Sequence, residues 1–336
     1  MLIKKSINKD VILFIFEELL FLTRTGINVY EALLLIQINS HKSNKIVNTL
    51  IDYIIKGYSL SSALEKVSGM PIFIIGAIKA GESSQKLDKT LEMIVKQLRM
   101  EIETKKKLDQ AMMYPKIVII TMTLSIVISV NFIFPIVIDI FMSNQAALPM
   151  VTIIFMNIIN LLRSHVTILV VVIICLLYFT PTPHIQISLE SVKYKFSLYK
   201  LVRNKEIANY LGILVSTGVT VNDALDILKV STDSYVLKKA LEESKINILQ
   251  GKLLSETLSD KIVLPHLLTI IKIGEDSGRL GELLLKVGEY FEASFENELR
   301  RKLSLVEPCL TLVLSVIVGF VVLATLLPTL TLSTIF

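Results

Sequence analysis

The chain lacks tryptophan altogether, holds only two cysteines, and is sparing with glycine (13) and proline (9) over 336 residues. Two cysteines cannot build a disulfide framework, and so little glycine and proline excludes collagen-like and low-complexity chains. Charge is scarce too. Charged residues make up 19% of the chain against 52% hydrophobic, and the mean hydropathy is +0.64. That balance excludes intrinsic disorder and argues against an ordinary charge-rich soluble surface. A net charge of +5 is too small to point to nucleic acid, and none is expected as a direct partner. Catalytic patterns are missing as well: there is no G-x-x-x-x-G-K-[ST] to cradle phosphate, and no H-E-x-x-H, C-x-x-C or G-x-S-x-G. His41, His165, His184 and His266 have no carboxylate or cysteine at ligand spacing, so no enzyme activity, metal or cofactor is expected.

What charge there is falls in blocks. Residues 1–116 hold 17 Lys/Arg and 12 Asp/Glu, and residues 181–307 hold 17 of each. Between them, residues 117–180 carry only Asp139 and Arg163, and residues 308–336 carry no charge. The 22 positions 117–138 form an uncharged run. At about 1.5 Å per residue such a helix reaches roughly 33 Å, enough for a hydrocarbon core of about 30 Å. Residues 309–327, between Pro308 and Pro328, give a second clean run. A third span is expected at 161–180, extending a helix from about Pro149, with Arg163 and His165 at the interface and Thr180-Pro181-Thr182-Pro183 as its stop, a buried soluble helix being the rival reading. Basic residues flank these runs on one side: Lys105, Lys106, Lys107 and Lys116, then Lys193 and Lys195, then Arg300, Arg301 and Lys302. The positive-inside rule puts residues 1–115 and 183–307 in the cytoplasm. The apolar stretch at 11–16 ends at Glu17-Glu18, too short for a signal peptide.

The two polar blocks repeat one another. Residues 25–33 align with 217–225, Gly57 with Gly251, Pro71 with Pro265, residues 81–87 with 274–280, and Tyr114-Pro115 with Glu307-Pro308. A shared order over this length marks a duplicated domain. The reading is an all-α membrane protein: two homologous cytoplasmic helical-bundle domains and three transmembrane helices. Its parts are a cytoplasmic domain at 1–115, a transmembrane helix at 116–139, an extracytoplasmic connection and helix extension at 140–160, and a second transmembrane helix at 161–180. A second cytoplasmic domain at 181–307, a third transmembrane helix at 308–330 and an extracytoplasmic tail at 331–336 complete it. Breaks near 26, 41, 57, 69 and 82 predict about six helices per copy, with Gly26 as a C-cap, Ser62-Ala63-Leu64-Glu65 at capping-box spacing, and a long helix from about Ser84 into Met113. Pro71 opens a helix that Gly81 ends.

The sharpest local feature is Gly-Glu-x-Ser, at Gly81, Glu82 and Ser84 and again at Gly274, Glu275 and Ser277. Glycine ending one helix while a hydroxyl or carboxylate caps the next is the structural reading. Contact with a basic partner surface, or a divalent cation held with Asp88 or Asp276, are the functional ones. In the expected spans, Thr121, Ser125 and Ser129 share one face, and Thr311, Ser315 and Gly319 another. Small residues at every fourth position let membrane helices approach closely. Cys175 and Cys309 fall in spans and act as small apolar residues.

Taken together, the duplicated helical domain, the three spans, the repeated Gly-Glu-x-Ser-(Gly)-x-Leu and the proline before two spans resemble the type II secretion F / type IV pilus inner-membrane platform family, competence-pilus members included. Residues 147–152, Ala-Leu-Pro-Met-Val-Thr, resemble the Leu-Pro-x-x-Thr segment at that family's second span. Gln85 departs from the pattern, standing where the family has its second glycine. The resemblance implies a non-enzymatic platform in the bacterial cytoplasmic (inner) membrane. It would couple a hexameric cytoplasmic ATPase to the insertion of pilin or pseudopilin subunits, alongside other platform proteins and membrane lipid, as a homo-oligomer. A polytopic transporter would need more spans and a polar midplane site. A membrane-bound signalling protein would need a catalytic or nucleotide motif.

Overall fold

The computed structural model describes residues 7–39, 44–128, 132, 135, 136, 139, 193, 194, 196–259 and 262–333. The described residues form helices and no strands. The first copy contributes α1 (Lys9–Arg24), α2 (Val29–Asn39), α3 (Asn44–Ile55), α4 (Leu60–Glu65), α5 (Ile72–Ser83) and α6 (Leu87–Ala111), followed by α7 (Met113–Ile128). The second contributes α8 (Ser197–Ser216), α9 (Val221–Ser231), α10 (Tyr235–Leu249), α11 (Leu254–Thr257), α12 (Pro265–Ser277) and α13 (Leu280–Ser333). Among the described residues each copy shows six helices, and the expected breaks near 26, 57, 69 and 82 fall between them. The expected second span, the 140–160 connection, the Leu-Pro-x-x-Thr segment, Ser129, the break near 41 and the last residues of the tail lie outside the described residues.

Each helix follows from its apolar spacing. In α1 the buried residues are Ile12, Ile15, Phe16 and Leu19, the i, i+3, i+4, i+7 stripe of one helix face. In α6, Leu91, Ile94, Val95, Leu98 and Ile102 repeat the pattern over three turns. Burying each such side chain contributes about 1.5–3 kcal/mol. Within each copy, consecutive helices pack in series: α1 on α2, α2 on α3, α3 on α4 and α4 on α5, then α8 on α9 through to α11 on α12.

The chain divides into two compact units. One holds Met1–Lys106 with Pro183–Leu299, the other Lys107–Thr182 with Arg300–Phe336. The two copies therefore share one unit rather than standing as separate bodies. Helix α5 of the first copy packs on α8 and α9 of the second. There Phe73 stacks on Tyr210, ring centroids 4.1 Å apart. Gly76 lets the backbones close in, since a Cβ at that position would lie 2.7 Å from the Ile227 side chain.

In the other unit, counting only residues whose side chains the structure describes, no helix is long and apolar enough to cross a membrane. The backbone of α13 continues as helix past Glu307, its last charged residue, to Ser333. Met112 breaks the expected long helix before Met113, which instead begins α7.

Turns between helices are duplicated in detail. Gly26 and Gly218 (φ 87° and 101°), and Gly57 and Gly251 (φ 85° and 89°), sit in the left-handed region at equivalent helix ends. In each, the next residue's N–H reaches back five residues, as Ile27 does to Leu22 and Val219 to Leu214, closing a Schellman turn. The third pair is Gly278 (φ 67°) and Gln85 (φ 55°). Arg279 N–H bonds the Gly274 carbonyl and Lys86 N–H bonds the Gly81 carbonyl, so the turn is the same despite the change of residue. A side chain in this region costs about 1–2 kcal/mol. Gln85→Gly should therefore raise the unfolding free energy by roughly 1 kcal/mol after the glycine's entropic loss, and Gly278→Gln should lower it. Thermal melts of the full-length protein in detergent read both shifts, and a lower melting temperature for Gln85→Gly would contradict the strain.

Candidate functional site

The repeated Gly-Glu-x-Ser motif forms the last turn of its helix, with Ser84 as the C-cap of α5 and Ser277 as the last residue of α12. Gly81 and Gly274 are interior to α5 and α12, a correction to the reading in which Gly81 ends its helix. Their lack of a side chain serves close approach. A Cβ at Gly81 would fall 2.8 Å from the Thr90 Cβ, and one at Gly274 would fall 2.8 Å from the Leu280 Cα. Each glycine thus lets the next helix fold tightly back. The serines do not cap the following helix: Ser84 donates to the Ala80 carbonyl at 2.8 Å and Ser277 to the Ile273 carbonyl at 2.6 Å, each one turn back in its own helix.

The glutamates reach upstream. Glu82 Oε1 accepts from Leu60 N–H at 2.7 Å, and its Oε2 accepts from Ser61 N–H at 3.3 Å and the Ser61 hydroxyl at 2.5 Å. Glu275 does the same in the second copy, accepting from Leu254 N–H at 2.6 Å and Ser255 N–H at 3.1 Å. In both copies these are the first two amides of a very short helix, α4 or α11, groups that no intrahelical carbonyl can satisfy. A carboxylate is favoured there by the helix dipole as well as by its hydrogen bonds. The carboxylate therefore caps a preceding helix, not the next one.

Helix α4 has a further cap in Ser59, which accepts from Ser62 N–H at 3.3 Å, so the capping residue is Ser59 and not Ser62. The corresponding residue before α11 is Leu253, which has no side-chain oxygen to offer. Glu256 reaches back to the Leu253 N–H instead. With both oxygens of Glu82 occupied by donors, little is left for a cation, and among the described residues no group of three or more His, Cys, Asp or Glu could hold a metal ion.

A second constellation joins the two copies. The Lys205 ammonium, almost fully buried, donates to Glu292 Oε2 at 2.5 Å and to Thr104 Oγ1 at 3.0 Å, and Thr104 donates to Glu292 Oε1 at 2.8 Å. A neighbouring group centres on Glu101, which accepts from Lys9, Gln97 and the Tyr210 hydroxyl. Arg203 pairs with Glu206 at 2.7 Å and donates to the Tyr199 hydroxyl. Burial pushes the Glu206 carboxyl above its ordinary value of 4.5 against the pull of Arg203. Burial, with the charge of Glu101, pushes the Tyr210 phenol well up. None of these buried charges was picked out from sequence. Lys205 and Glu206 sit in a polar run, Arg203-Asn204-Lys205-Glu206, that carries no sign of burial in the sequence.

Beside this network, a cavity of about 360 Å³ opens between α6, α8 and α13, lined by Met93, Met100, Ile213 and Leu285 with Lys96 and Glu289 among its charged residues. Lys96 and Glu289 form an ion pair. In the other unit, Thr121 and Ser315 hydroxyls bond carbonyls of their own helices, Ser125 lies in α7, and a Cβ at Gly319 would meet open space.

The duplicated geometry has a family behind it. The sequence model of type II secretion system (T2SS), protein F matches residues 15–135 and again residues 207–328. The chain belongs to that family, and carries its domain twice. Among its relatives, a "Type IV pilus assembly protein PilC" of Thermus thermophilus is 26% identical over 332 residues, covering 95% of this chain and 82% of that protein. A protein of the same name from Pseudomonas aeruginosa is 27% identical over 296 residues, 84% and 79% of the two chains. A "Type II secretion system protein F" of Vibrio cholerae is 24% identical over 339 residues, 97% and 83%.

Two predictions follow the geometry. Glu82→Ala or Glu275→Ala leaves two half-buried helix amides without acceptors, and each should destabilise by roughly 1–3 kcal/mol. Circular dichroism melts of the single and double variants check this, and wild-type melting of the double variant would remove the caps from the account. The second concerns pH. A carboxyl whose folded value is raised adds stability below its unfolded value, and that contribution is lost as pH rises through the folded value. Melting temperatures taken upward from about pH 4.5 should fall through this component in the wild type, and Glu206→Gln should flatten the fall.

Proposed function

We propose that this chain is the non-enzymatic platform of a type IV pilus or type II secretion-type assembly machine in the bacterial inner membrane. In this reading a hexameric ATPase engages the helical repeats from the cytoplasm, and pilin or pseudopilin subunits enter a filament at the membrane part. The carrying observation is that the family's domain occurs twice, over most of the chain, with relatives named for pilus assembly and for type II secretion. The geometry supports the reading in one further way. A platform moved by another protein's hydrolysis needs stiffness, and the short helices α4 and α11 are each clamped by a carboxylate while the hydrogen bonds of Lys205 to Thr104 and of Tyr210 to Glu101 tie one copy to the other. Under this proposal Glu82 and Glu275 hold the repeats in shape and act on partners only through that shape.

The topology expected from charge, three spans with both repeats cytoplasmic, belongs to the same proposal, as does self-association. Affinity purification from mildly solubilised native membranes should recover a secretion-type ATPase together with prepilin-like subunits by mass spectrometry. Reproducible recovery of a different membrane complex, with both of these missing, would overturn the platform reading.

A further inference from the structure

Three helix faces enclose the cavity of about 360 Å³ inside the unit that holds both copies. Met93, Gln97 and Met100 come from α6 at i, i+4 and i+7, Asn209 and Ile213 from α8 at i and i+4, and Leu285 from α13. The first copy thus supplies one wall and the second copy the other two. The volume lies in the range of about 300–1,000 Å³ typical of small-molecule sites, and thioether and aliphatic side chains make up most of the wall. The carboxylates at the rim are already paired: Glu92 with Arg24, Glu289 with Lys96, and Glu282 with Arg279 and Lys286. Lys89 is exposed to solvent.

Gln97 and Asn209 are only 2% and 1% exposed. Among the described residues four buried side-chain polar atoms lack a hydrogen-bond partner, and two of them, Gln97 Oε1 and Asn209 Nδ2, belong to this one cavity. The orientation of Gln97 is fixed, because its Nε2 donates to Glu101 Oε1 at 2.7 Å and a carboxylate can only accept. Its oxygen is therefore an unmet acceptor. Asn209 rests against α13 at Gly288, where a Cβ would collide with its Oδ1, and its Nδ2 is an unmet donor. The two lie at the same end of the cavity, since Glu289, next to Gly288, pairs with Lys96, next to Gln97. Buried polar groups are nearly always satisfied, so an unmet acceptor and an unmet donor in one cavity mark what a ligand has to bring.

We infer that this cavity binds a small neutral molecule with an amide edge, an N–H beside a carbonyl or ring nitrogen, on a flat apolar body. The N–H donates to Gln97 Oε1, and the neighbouring acceptor takes the Asn209 amide. The body lies between Met93, Met100, Ile213 and Leu285, where thioethers make favourable contacts with ring edges. Both amide atoms are sealed from solvent, and the unbranched, flexible Met93 and Met100 are the side chains that turn aside to admit a ring. With Gln97 from one copy and Asn209 from the other, the bound molecule ties the copies together, whether or not the chain is an assembly platform.

The test titrates the full-length protein in detergent with benzamide, N,N-dimethylbenzamide and toluene, following saturation-transfer NMR of the ligand and the melting temperature of the protein. Benzamide should bind saturably and raise the melting temperature. The dimethyl amide has no N–H and leaves Gln97 Oε1 unmet, so it should bind about tenfold more weakly. Partitioning into micelles favours the dimethyl amide and toluene instead. Q97M removes the acceptor and M93W fills the cavity, and each should weaken benzamide binding by about tenfold or more. The ligand series on the wild type does not depend on either variant folding. Free carboxamides and nucleobases both present the amide edge, and nicotinamide and adenosine, titrated in the same way, tell the two sources apart by which binds more tightly. Binding in the reverse order, no saturable benzamide binding, or full benzamide affinity in a folded M93W variant overturns the inference and leaves water as the partner of the two amides.

Discussion

One interaction recurs at the point where each repeat is weakest: a glutamate from a longer helix accepting the first amides of a helix of only six or four residues. Helices that short do not persist unaided, because the first turn fixes several residues for a single hydrogen bond. Their open amides need acceptors, and in a half-buried position water cannot supply them. Glu82 and Glu275 do so from α5 and α12, which tethers the short helix to the long one and sets the angle at which the chain enters the rest of the bundle. The buried glycine one residue before each glutamate completes the arrangement. Without a Cβ there, the following helix folds back within contact distance, and the glutamate's backbone is held where its side chain can reach upstream.

The contact between copies relies on a different balance. Apolar packing of α5 on α8 and α9 brings the surfaces together, and the polar network then makes the pairing specific. Burying an ammonium such as Lys205 is unfavourable by several kcal/mol unless its donors are met. Glu292 and Thr104 meet two of them, one acceptor from each copy. Sliding one copy against the other would strip Thr104 from the Lys205–Glu292 pair and Tyr210 from Glu101, leaving buried polar groups unsatisfied at about 1–3 kcal/mol each. Non-directional packing alone would tolerate such a slip. The hydrogen bonds of Thr104 and Tyr210 across the copies are therefore what fix the register.

Much of this was legible before any coordinates. Glycine positions and apolar periodicity marked the six helices of each copy, because left-handed turns and buried stripes are local properties of a chain. The targets of Glu82 and Glu275 were not legible in the same way, since the amides they cap lie about twenty residues upstream. The trace that remained was the Leu-Ser pair three residues after Gly57 and after Gly251, kept in both copies without an evident reason. Gln85 shows the opposite case: its residue type argues against a left-handed turn, and the Schellman bonds of the surrounding helix impose one. Lys205 and Gly76 depend on the partner copy, and no pattern within either copy alone would single them out.

That dependence explains what a duplicated chain gains over two separate copies. Along α6 and α13, equivalent positions meet: Lys96 pairs with Glu289, and Ala111 and Tyr114 face the same groove as Ser304 and Glu307. In a symmetric pair of identical chains, a residue on the axis meets itself, so a lysine would face a lysine and a glutamate a glutamate. Like charges held that close repel, and the position would have to be neutral. Joining the copies in one chain lifts the constraint, because each half can carry its own residue. One position becomes an ion pair, and another becomes a hydroxyl opposite a carboxylate. The asymmetry that a symmetric dimer forbids is what gives this surface its chemistry.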